Sequence, residues 1–305
     1  MSEPPLPPRQ GVGASCVGLP PGPWPRLIDF LLERFPAIAQ PEWAARMARG
    51  DVLDDAGRSV TPGQPYQAHR RLYYYRSLPA EAANPARETV LFEDDWLVVA
   101  DKPHFLPVTP TGKYLHETLL VRLRQKLGLD ALAPLHRIDR ETAGLVLFAK
   151  QRASVPHYAA LFATRGVHKT YEAIAPWRAG LAFPLTRAST LVGAGHFMQM
   201  RELEAGPEAQ ANAHTTIELL ETRGALARYR LQPHTGKRHQ LRVHMAALGL
   251  PLLGDRIYPE LLPEGGDDPA HPLRLLAQSL AFTDPVTGQA RHFTSRQALN
   301  FPDTA

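Results

Sequence analysis

The 305-residue sequence contains a single cysteine, Cys16. Because one cysteine can form neither an intrachain disulfide nor a cysteine metal cluster, we expect a protein of a reducing compartment. The chain has no run of about 18 apolar residues, the length that a membrane-spanning helix requires. Its first residues lack the charged and apolar segments of a secretion signal. These absences predict a soluble, cytoplasmic protein that does not associate with a membrane.

The sequence also has little excess charge, with 34 Lys and Arg against 30 Asp and Glu and a net charge of +4. A basic balance favours an anionic partner but does not distinguish nucleic acid from other anions. Glycine-rich motifs that bind dinucleotides or nucleoside triphosphates are missing from the sequence, and so is a zinc quartet. We therefore expect neither a cofactor nor a metal.

Composition divides the chain into four segments. Proline and glycine dominate residues 1–24, and we expect a disordered tail there because such a segment buries little apolar surface. Residues 25–76 show two helical patterns followed by strand patterns, which predicts a small α+β module. A polar linker is expected at 77–88, and residues 89–305 form the main body. There, strands and helices interleave irregularly, which favours a mixed α+β fold.

The most informative stretch is residues 136–150, which read HRIDRETAGLVLFAK. Asp139 lies between two arginines and is followed by a glycine and apolar, β-prone residues. This pattern predicts a polar loop that delivers one acid to the end of a buried strand. Nearby positive charge favours the ionised carboxylate, which can act as a nucleophile or a base. By itself, the local pattern is also typical of a structural ion pair.

A second cluster, residues 234–244, reads HTGKRHQLRVH. An apolar stripe from Leu241 predicts a helix that ends near Gly249. Arg238 and Arg242 are four residues apart, so we expect them to share a face of this helix. Arginines at a helix N-terminus favour binding of a carboxylate or phosphate.

The histidines of this cluster do not have the spacing of a zinc site. His239 and His244 are five residues apart, whereas the helical zinc motif needs four and a glutamate between them. We therefore interpret these histidines, together with His136, as residues that face solvent or RNA.

These motifs together resemble the RluA-type RNA pseudouridine synthases. Residues 136–145 resemble the family signature H-R-L-D-R-x-T-S-G-L, with Ile138 and Ala143 as departures. Residues 236–244 resemble G-R-x-H-Q-L-R-V-H, with Lys237 in place of the usual arginine. Three further matches occur in the family's order, at residues 101–103, 169–171 and 252–258.

The resemblance implies an α+β catalytic domain built on a mixed, mainly antiparallel sheet flanked by helices. It also implies conversion of specific uridines to pseudouridine in ribosomal or transfer RNA without a cofactor. Asp139 would be the catalytic carboxylate, attacking ribose C1′ or abstracting a ribose proton. Tyr171 would stack on the target base and help to remove its C5 proton. Arg242 would orient Asp139, and Arg137 would enter the space that the base leaves.

The resemblance further implies a set of RNA contacts: Arg137, Arg140, Lys169, Lys237, Arg238 and His239. Two departures bear on those contacts, the lysine at 237 and His104 with Phe105, where relatives often have small residues. The N-terminal module faintly resembles a small RNA-binding domain. Residues 36–42 are nearly uncharged, however, so a degenerate spacer is the alternative.

Elementary chemistry agrees with these expectations. The reaction breaks a glycosidic bond, turns the base and forms a carbon–carbon bond, so a closed pocket matters more than a redox group. A stacked uridine must flip outward, which costs a few kcal/mol, and an inserted Arg137 would offset part of that cost. Binding would depend on phosphates and RNA shape.

Other interpretations stay open at this point. Tyr171 alone is typical of a core strand, Arg242 of an exposed helix and Arg137 of a surface charge. The tyrosines at 73–75 suit strand packing better than RNA stacking. A non-catalytic RNA-binding or ribosome-assembly protein is the main alternative function. A glycosidase would need two acids, and Glu141 is a weak second candidate. We expect a monomer without an obligate protein partner.

Overall fold

A computed structural model of the chain describes residues 6–76, 81–203, 211–263 and 265–302. The chain forms two compact units. The first comprises residues up to 82 together with 110–116 and 121–130, and the second comprises the remainder. In the described part of the chain, no helix has both the length and the apolar character needed to cross a membrane.

The first unit is a small α+β module. Its elements are β1 (Ser15–Gly18), α1 (Leu27–Arg34), α2 (Gln40–Ala48), β2 (Val52–Asp54) and β3 (Arg71–Tyr74). The strands form an antiparallel sheet in the order β1-β3-β2. The two helices bury Ile28, Leu31 and Trp43 against strand residues such as Leu72 and Tyr74. The predicted helices and strands of this module are therefore present, and Tyr73 and Tyr74 are buried, as strand packing requires.

The predicted disordered tail is wrong for residues 6–24. Strand β1 pairs with β3, so that Cys16 lies opposite Tyr73. Leu6, Val12 and Leu19 are buried. The few apolar residues among the prolines thus find partners that composition alone does not reveal. Residues 1–5 of the predicted tail, and 77–80 of the predicted linker, lie outside the described residues.

The boundary between the units also differs from the predicted one. Residues 110–116 and 121–130 were expected in the main body but belong to the first unit. The reason is a shared apolar cluster of Val12, Leu115 and Val121. In addition, the Arg124 guanidinium donates a hydrogen bond to the carbonyl oxygen of Gly11 at 3.0 Å. These contacts join segments that are more than 100 residues apart in the sequence.

The second unit contains most of the regular structure. Its elements are β4 (Thr89–Glu93), β5 (Leu97–Lys102), α3 (Leu119–Leu127, whose residues from 121 belong to the first unit), β6 (Ala133–Pro134), β7 (Ala143–Ala149), α4 (Val155–Ala163), β8 (His168–Pro176), β9 (Leu185–Gly193), β10 (Met200–Leu203), β11 (Ala213–Arg223), β12 (Leu226–Pro233), α5 (Gln240–Ala247), β13 (Leu275–Thr283) and β14 (Ala290–Thr294).

These strands form one large mixed sheet in the order β10-β9-β11-β12-β8-β13-β7-β5-β4, with β14 beside β13 and β6 beside β7. The pairing of β13 with β7 is parallel, and the other strand pairs are antiparallel. The predicted α+β class and the mainly antiparallel sheet are confirmed. Every residue of β7 is buried, which explains its continuous apolar run.

Glycine is required at one position of this sheet. Gly144 has a φ of +110°, a conformation that L side chains rarely adopt. A Cβ atom placed there would lie 2.3 Å from the carbonyl oxygen of Ala277 on β13. Glycine at 144 lets β7 pack closely beside β13. Strand β7 therefore lies in the interior of the sheet and begins directly after the Asp139 loop.

Candidate active site

Asp139 lies in the loop that joins β6 to β7. The Thr142 N–H donates to the backbone carbonyl of Asp139 at 3.1 Å. From the end of β5, the buried Lys102 Nζ donates to the carbonyl oxygens of Pro103 at 2.9 Å and Arg140 at 3.1 Å. Burial lowers the pKa of Lys102 to about 7 despite the nearby carboxylates of Glu141 and Asp139. The backbone of the loop is thus fixed by the Thr142 N–H and by the Lys102 side chain, while the Asp139 side chain stays 28% exposed.

Arg242 connects this loop to helix α5. Its guanidinium is 1% exposed, and its Nη1 lies 3.3 Å from Asp139 Oδ2. Nε and Nη2 of the same group donate to the two carboxylate oxygens of Asp255, at 2.8 and 2.6 Å. Burial disfavours the charge, but the hydrogen bonds and charge of Asp255 outweigh it and raise the pKa of Arg242. The result is a buried, permanent cation against an accessible carboxylate.

Tyr171 is half-buried in β8, between Leu231 of β12 and Ala277 of β13. Burial, followed by the negative charge of Asp139, raises the pKa of its phenol above the ordinary value. The effect of Asp139 on this phenol shows that the two side chains share one electrostatic environment. Asp139, Arg242 and Tyr171, which are far apart in the sequence, therefore come together in the second unit.

His239 completes the wall beside Asp139. It precedes α5 with a φ of +54°, so that the helix begins at Gln240. The His239 Nε2 lies 3.8 Å from Asp139 Oδ1, and its Nδ1 shares a 2.9 Å hydrogen bond with the Tyr258 hydroxyl. Burial is the main cause that lowers the pKa of His239.

The prediction that Arg238 and Arg242 share a helix face is wrong. Arg238 lies before α5, is exposed and donates to the carbonyl oxygen of Phe197 at 2.8 Å, whereas Arg242 is buried. The left-handed residue at 239 breaks the helical spacing between them, and i, i+4 spacing alone does not reveal such a break.

The other predicted RNA contacts have different surroundings. Arg137 and Lys237 are exposed. Lys169 is half-buried, and burial lowers its pKa. Arg140 is engaged with protein carboxylates, at 3.0 Å from Glu141 and 2.6 Å from Asp267. Glu141 is thereby tied to an arginine, which does not give it the setting of a second catalytic acid.

Two histidines contradict the interpretation as solvent-facing or RNA-facing. His244 is fully buried and shares hydrogen bonds with Thr215 and Ser189. Burial lowers its pKa to about 4. The His136 ring stacks on Phe162, its Nε2 accepts the Leu147 N–H at 3.1 Å, and burial lowers its pKa to about 3. Both are therefore held neutral by the protein, His244 as a core residue and His136 as a half-buried one.

Sequence reasoning missed the roles of two residues. Asp255, whose side chain is 0% exposed, also accepts the N–H groups of Ile257 and Tyr258 at 2.8 and 3.0 Å. Lys102 holds the Asp139 loop. Both lie in segments that matched the family pattern, at 252–258 and 101–103. The match could have marked them as candidates, but we assigned no role to either residue from the sequence.

Three comparisons bear on the family. Residues 96–247 match the model of the RNA pseudouridylate synthase family. An uncharacterized RNA pseudouridine synthase of Synechocystis is 30% identical over 233 residues, covering 76% of this chain and 79% of the relative. A tRNA pseudouridine synthase C of Vibrio cholerae is 31% identical over 215 residues, covering 66% and 87%.

A solved structure agrees with the sequence relatives. Human RNA pseudouridylate synthase domain containing 4 superposes with a TM-score of 0.54 at 26% identity, covering 68% of this chain and 88% of that protein. The chain belongs to the RluA-type family of RNA pseudouridine synthases. It is thus an enzyme of RNA modification.

Proposed function

We propose that this enzyme isomerises uridine to pseudouridine in ribosomal or transfer RNA, with Asp139 as its catalytic residue. The observation that supports this assignment is the contact of the partly exposed Asp139 carboxylate with the buried Arg242 guanidinium. An ionised carboxylate fixed on one side and accessible on the other is suited to react with a sugar. The membership of the family supports the reaction, and the geometry supports the residue.

The proposed reaction begins when the target uridine flips out of the RNA. Asp139 then either attacks ribose C1′ or abstracts a ribose proton, and the bond from C1′ to N1 of uracil breaks. The base turns and C1′ bonds to C5. In the first route this step breaks the bond between Asp139 and C1′, and in the second Asp139 returns the abstracted proton to the ribose. The C5 proton is then lost, and N1 carries a proton in the product. The atoms balance without an oxidant or reductant. Detached uracil must be retained, which requires a closed pocket.

Arg242 acts in this proposal as a positioning residue. Asp255 uses two of its guanidinium nitrogens, leaving Nη1 toward Asp139. A planar guanidinium held in this way cannot rotate without breaking a buried ion pair, which is strongly unfavourable. Asp139 is thereby held in one orientation before RNA binds, which lowers the entropic part of the barrier.

Tyr171 is proposed to contact the target base through its ring. The raised pKa of Tyr171 keeps the phenol protonated at neutral pH, since both burial and Asp139 disfavour the phenolate. A protonated phenol cannot accept the C5 proton, so this disfavours Tyr171 as the general base and favours stacking of its ring on uracil. Arg137 is proposed to replace the flipped base in the RNA stack, for which its exposure is suited.

The proposal of ribosomal or transfer RNA as the substrate rests on the names of the relatives and not on the geometry of the site. The Vibrio cholerae relative is named as a tRNA pseudouridine synthase. Exposed Lys237 and Arg238 precede α5 in the same motif as Arg242 and are available to phosphates. We propose a structured RNA bound through such phosphate contacts and a cytoplasmic site of action.

Substitution of Asp139 by asparagine tests this proposal. The change removes the reactive carboxylate while keeping its size, so release of tritium from C5-labelled uridine in RNA should fall to background. RNA binding should persist, because the proposed phosphate contacts remain. Asp95→Asn is a matched control, an exposed aspartate in the turn between β4 and β5, and should retain activity. Full activity of Asp139→Asn would end the proposed mechanism. Wild-type protein that binds RNA without tritium release would instead support a non-catalytic role.

A further inference from the structure

The first unit contains a pocket of about 560 Å³ whose lining includes four arginines. They come from three parts of the chain: Arg9 from the N-terminal segment, Arg46 and Arg49 from the end of α2 and the residue after it, and Arg76 after β3. The pocket lies entirely within the first unit and includes none of the residues assigned to catalysis.

The formal charge of this pocket is positive. Its lining holds four guanidinium groups and one carboxylate, Asp51, a formal charge of +3. Two further carboxylates adjoin the lining and reduce the local charge to +1: Glu42 pairs with Arg46 at 2.8 Å, and Glu81 accepts the backbone N–H groups of Leu115 and His116 at 2.7 and 2.8 Å. A concave surface that keeps a positive charge attracts anions.

Two of these arginines are held in place by a shared partner. Asp51 accepts a hydrogen bond from Arg9 Nη1 at 2.5 Å and another from Arg49 Nε at 2.9 Å. The Arg9 guanidinium also lies 3.8 Å from the centre of the Tyr75 ring. Both arginine side chains are more than half exposed. A guanidinium has five N–H donors, so each retains donors for a ligand after bonding Asp51.

The size and chemistry of the pocket fit one unit of a nucleic acid backbone. Its volume lies in the range of roughly 300–1,000 Å³ typical of ligand sites. Fixed guanidinium forks bind phosphate in a bidentate manner. Tyr75 provides an aromatic surface, although Arg9 already covers one face of its ring.

We propose that this arginine pocket binds a phosphodiester of the RNA substrate and gives the first unit a direct role in RNA binding. The inference rests on the proposed function for the identity of the polyanion. It assigns the N-terminal module a site, in contrast to a spacer without contacts. Because Arg9 belongs to residues 1–24, that segment becomes part of an RNA-binding surface.

The test compares two double variants with equal loss of charge. Arg9→Gln with Arg49→Gln removes two pocket arginines. Arg26→Gln with Arg58→Gln is the control, since both residues lie in the first unit outside the pocket, are more than half exposed and pair with an aspartate. Thermal melting of both variants verifies that they fold. Kd for a fluorescent tRNA transcript is measured by anisotropy over a range of salt concentrations.

The pocket variant should raise Kd about five- to tenfold, and the slope of log Kd against log salt should fall by about one to two. The control variant should bind like wild type. Arg9→Lys with Arg49→Lys should restore most of the salt dependence, because charge is kept while the forks are lost. Equal changes in the pocket and control variants, or an unchanged salt slope in the pocket variant, would overturn the proposal.

A turnover assay separates this inference from the proposed function. With C5-tritiated RNA as the substrate, the pocket variant should turn over more slowly because its KM is higher than that of wild type. If wild-type protein releases no tritium, the proposed function fails, while the binding comparison still decides whether the pocket holds RNA. If wild type is active and the pocket variant binds like the control, the pocket inference alone fails.

Discussion

Asp255 and Arg242 form a bidentate ion pair in which both side chains are almost completely buried. The same guanidinium contacts Asp139 at 3.3 Å. Asp255 accepts two backbone N–H groups as well, at Ile257 and Tyr258. Asp255 therefore acts on the orientation of the proposed catalytic carboxylate through Arg242.

We predict that Asp255→Asn lowers kcat much more than it raises KM. The change leaves a buried cation without its counter-charge, at a cost of about 3–5 kcal/mol in stability. A small displacement of Arg242 would misorient Asp139, which is expected to lower kcat about a hundredfold. Tritium-release kinetics below the melting transition measure both parameters. Asp284→Asn, another fully buried aspartate, should lose stability but keep kcat close to wild type. A rise in KM alone would argue against a positioning role.

We predict that Gly144→Ala strongly destabilises the second unit. The φ of +110° and the 2.3 Å approach of a Cβ to the Ala277 carbonyl oxygen require the strands to separate. The expected loss is about 3 kcal/mol or more in the free energy of unfolding. Gly193→Ala is the control, because a Cβ at that position meets no atom within 4 Å. Urea unfolding measures both, and similar values for the two variants would refute the packing argument.

We predict that burial of His136 makes the protein less stable in acid. Its folded pKa of about 3 lies below the ordinary value of 6.5, so the unfolded chain takes up the proton first as pH falls. Stability is therefore lost between pH 6.5 and about 3, at up to about 1.4 kcal/mol per pH unit. His136→Gln should flatten this dependence in urea unfolding, although His244 contributes in the same direction. His157→Gln, on the surface of α4, should keep the wild-type slope.

We predict that Arg137→Ala weakens catalysis without affecting stability. The side chain is exposed, so its removal should change the unfolding free energy by less than about 0.5 kcal/mol. If Arg137 replaces the flipped base as proposed, its loss should lower kcat/KM by about five- to thirtyfold. Arg165→Ala, at the exposed turn after α4, is the control for a general loss of charge. Equal effects of the two substitutions on kcat/KM would mean that Arg137 has no specific role.

Much of the second unit could be predicted from local sequence. The apolar run that follows the Asp139 loop predicted a buried strand, which the structure forms as β7. The helix after residue 239 was predicted, but its first turn was not, because the left-handed conformation of His239 has no signature in hydrophobic spacing. The N-terminal segment was misjudged for a related reason, since proline content describes local preference and not the strand that β3 offers as a partner.

Motif order and residue type were enough to identify the family and the site candidates Asp139, Tyr171 and Arg242, because both are properties of the linear chain. The contacts of the folded chain were needed to show that Asp255 holds Arg242, that Lys102 holds the Asp139 loop, and that arginines from three parts of the chain line one pocket. Such contacts join residues separated by long stretches of chain. Their geometry depends on how the sheet and loops pack, which no local pattern encodes.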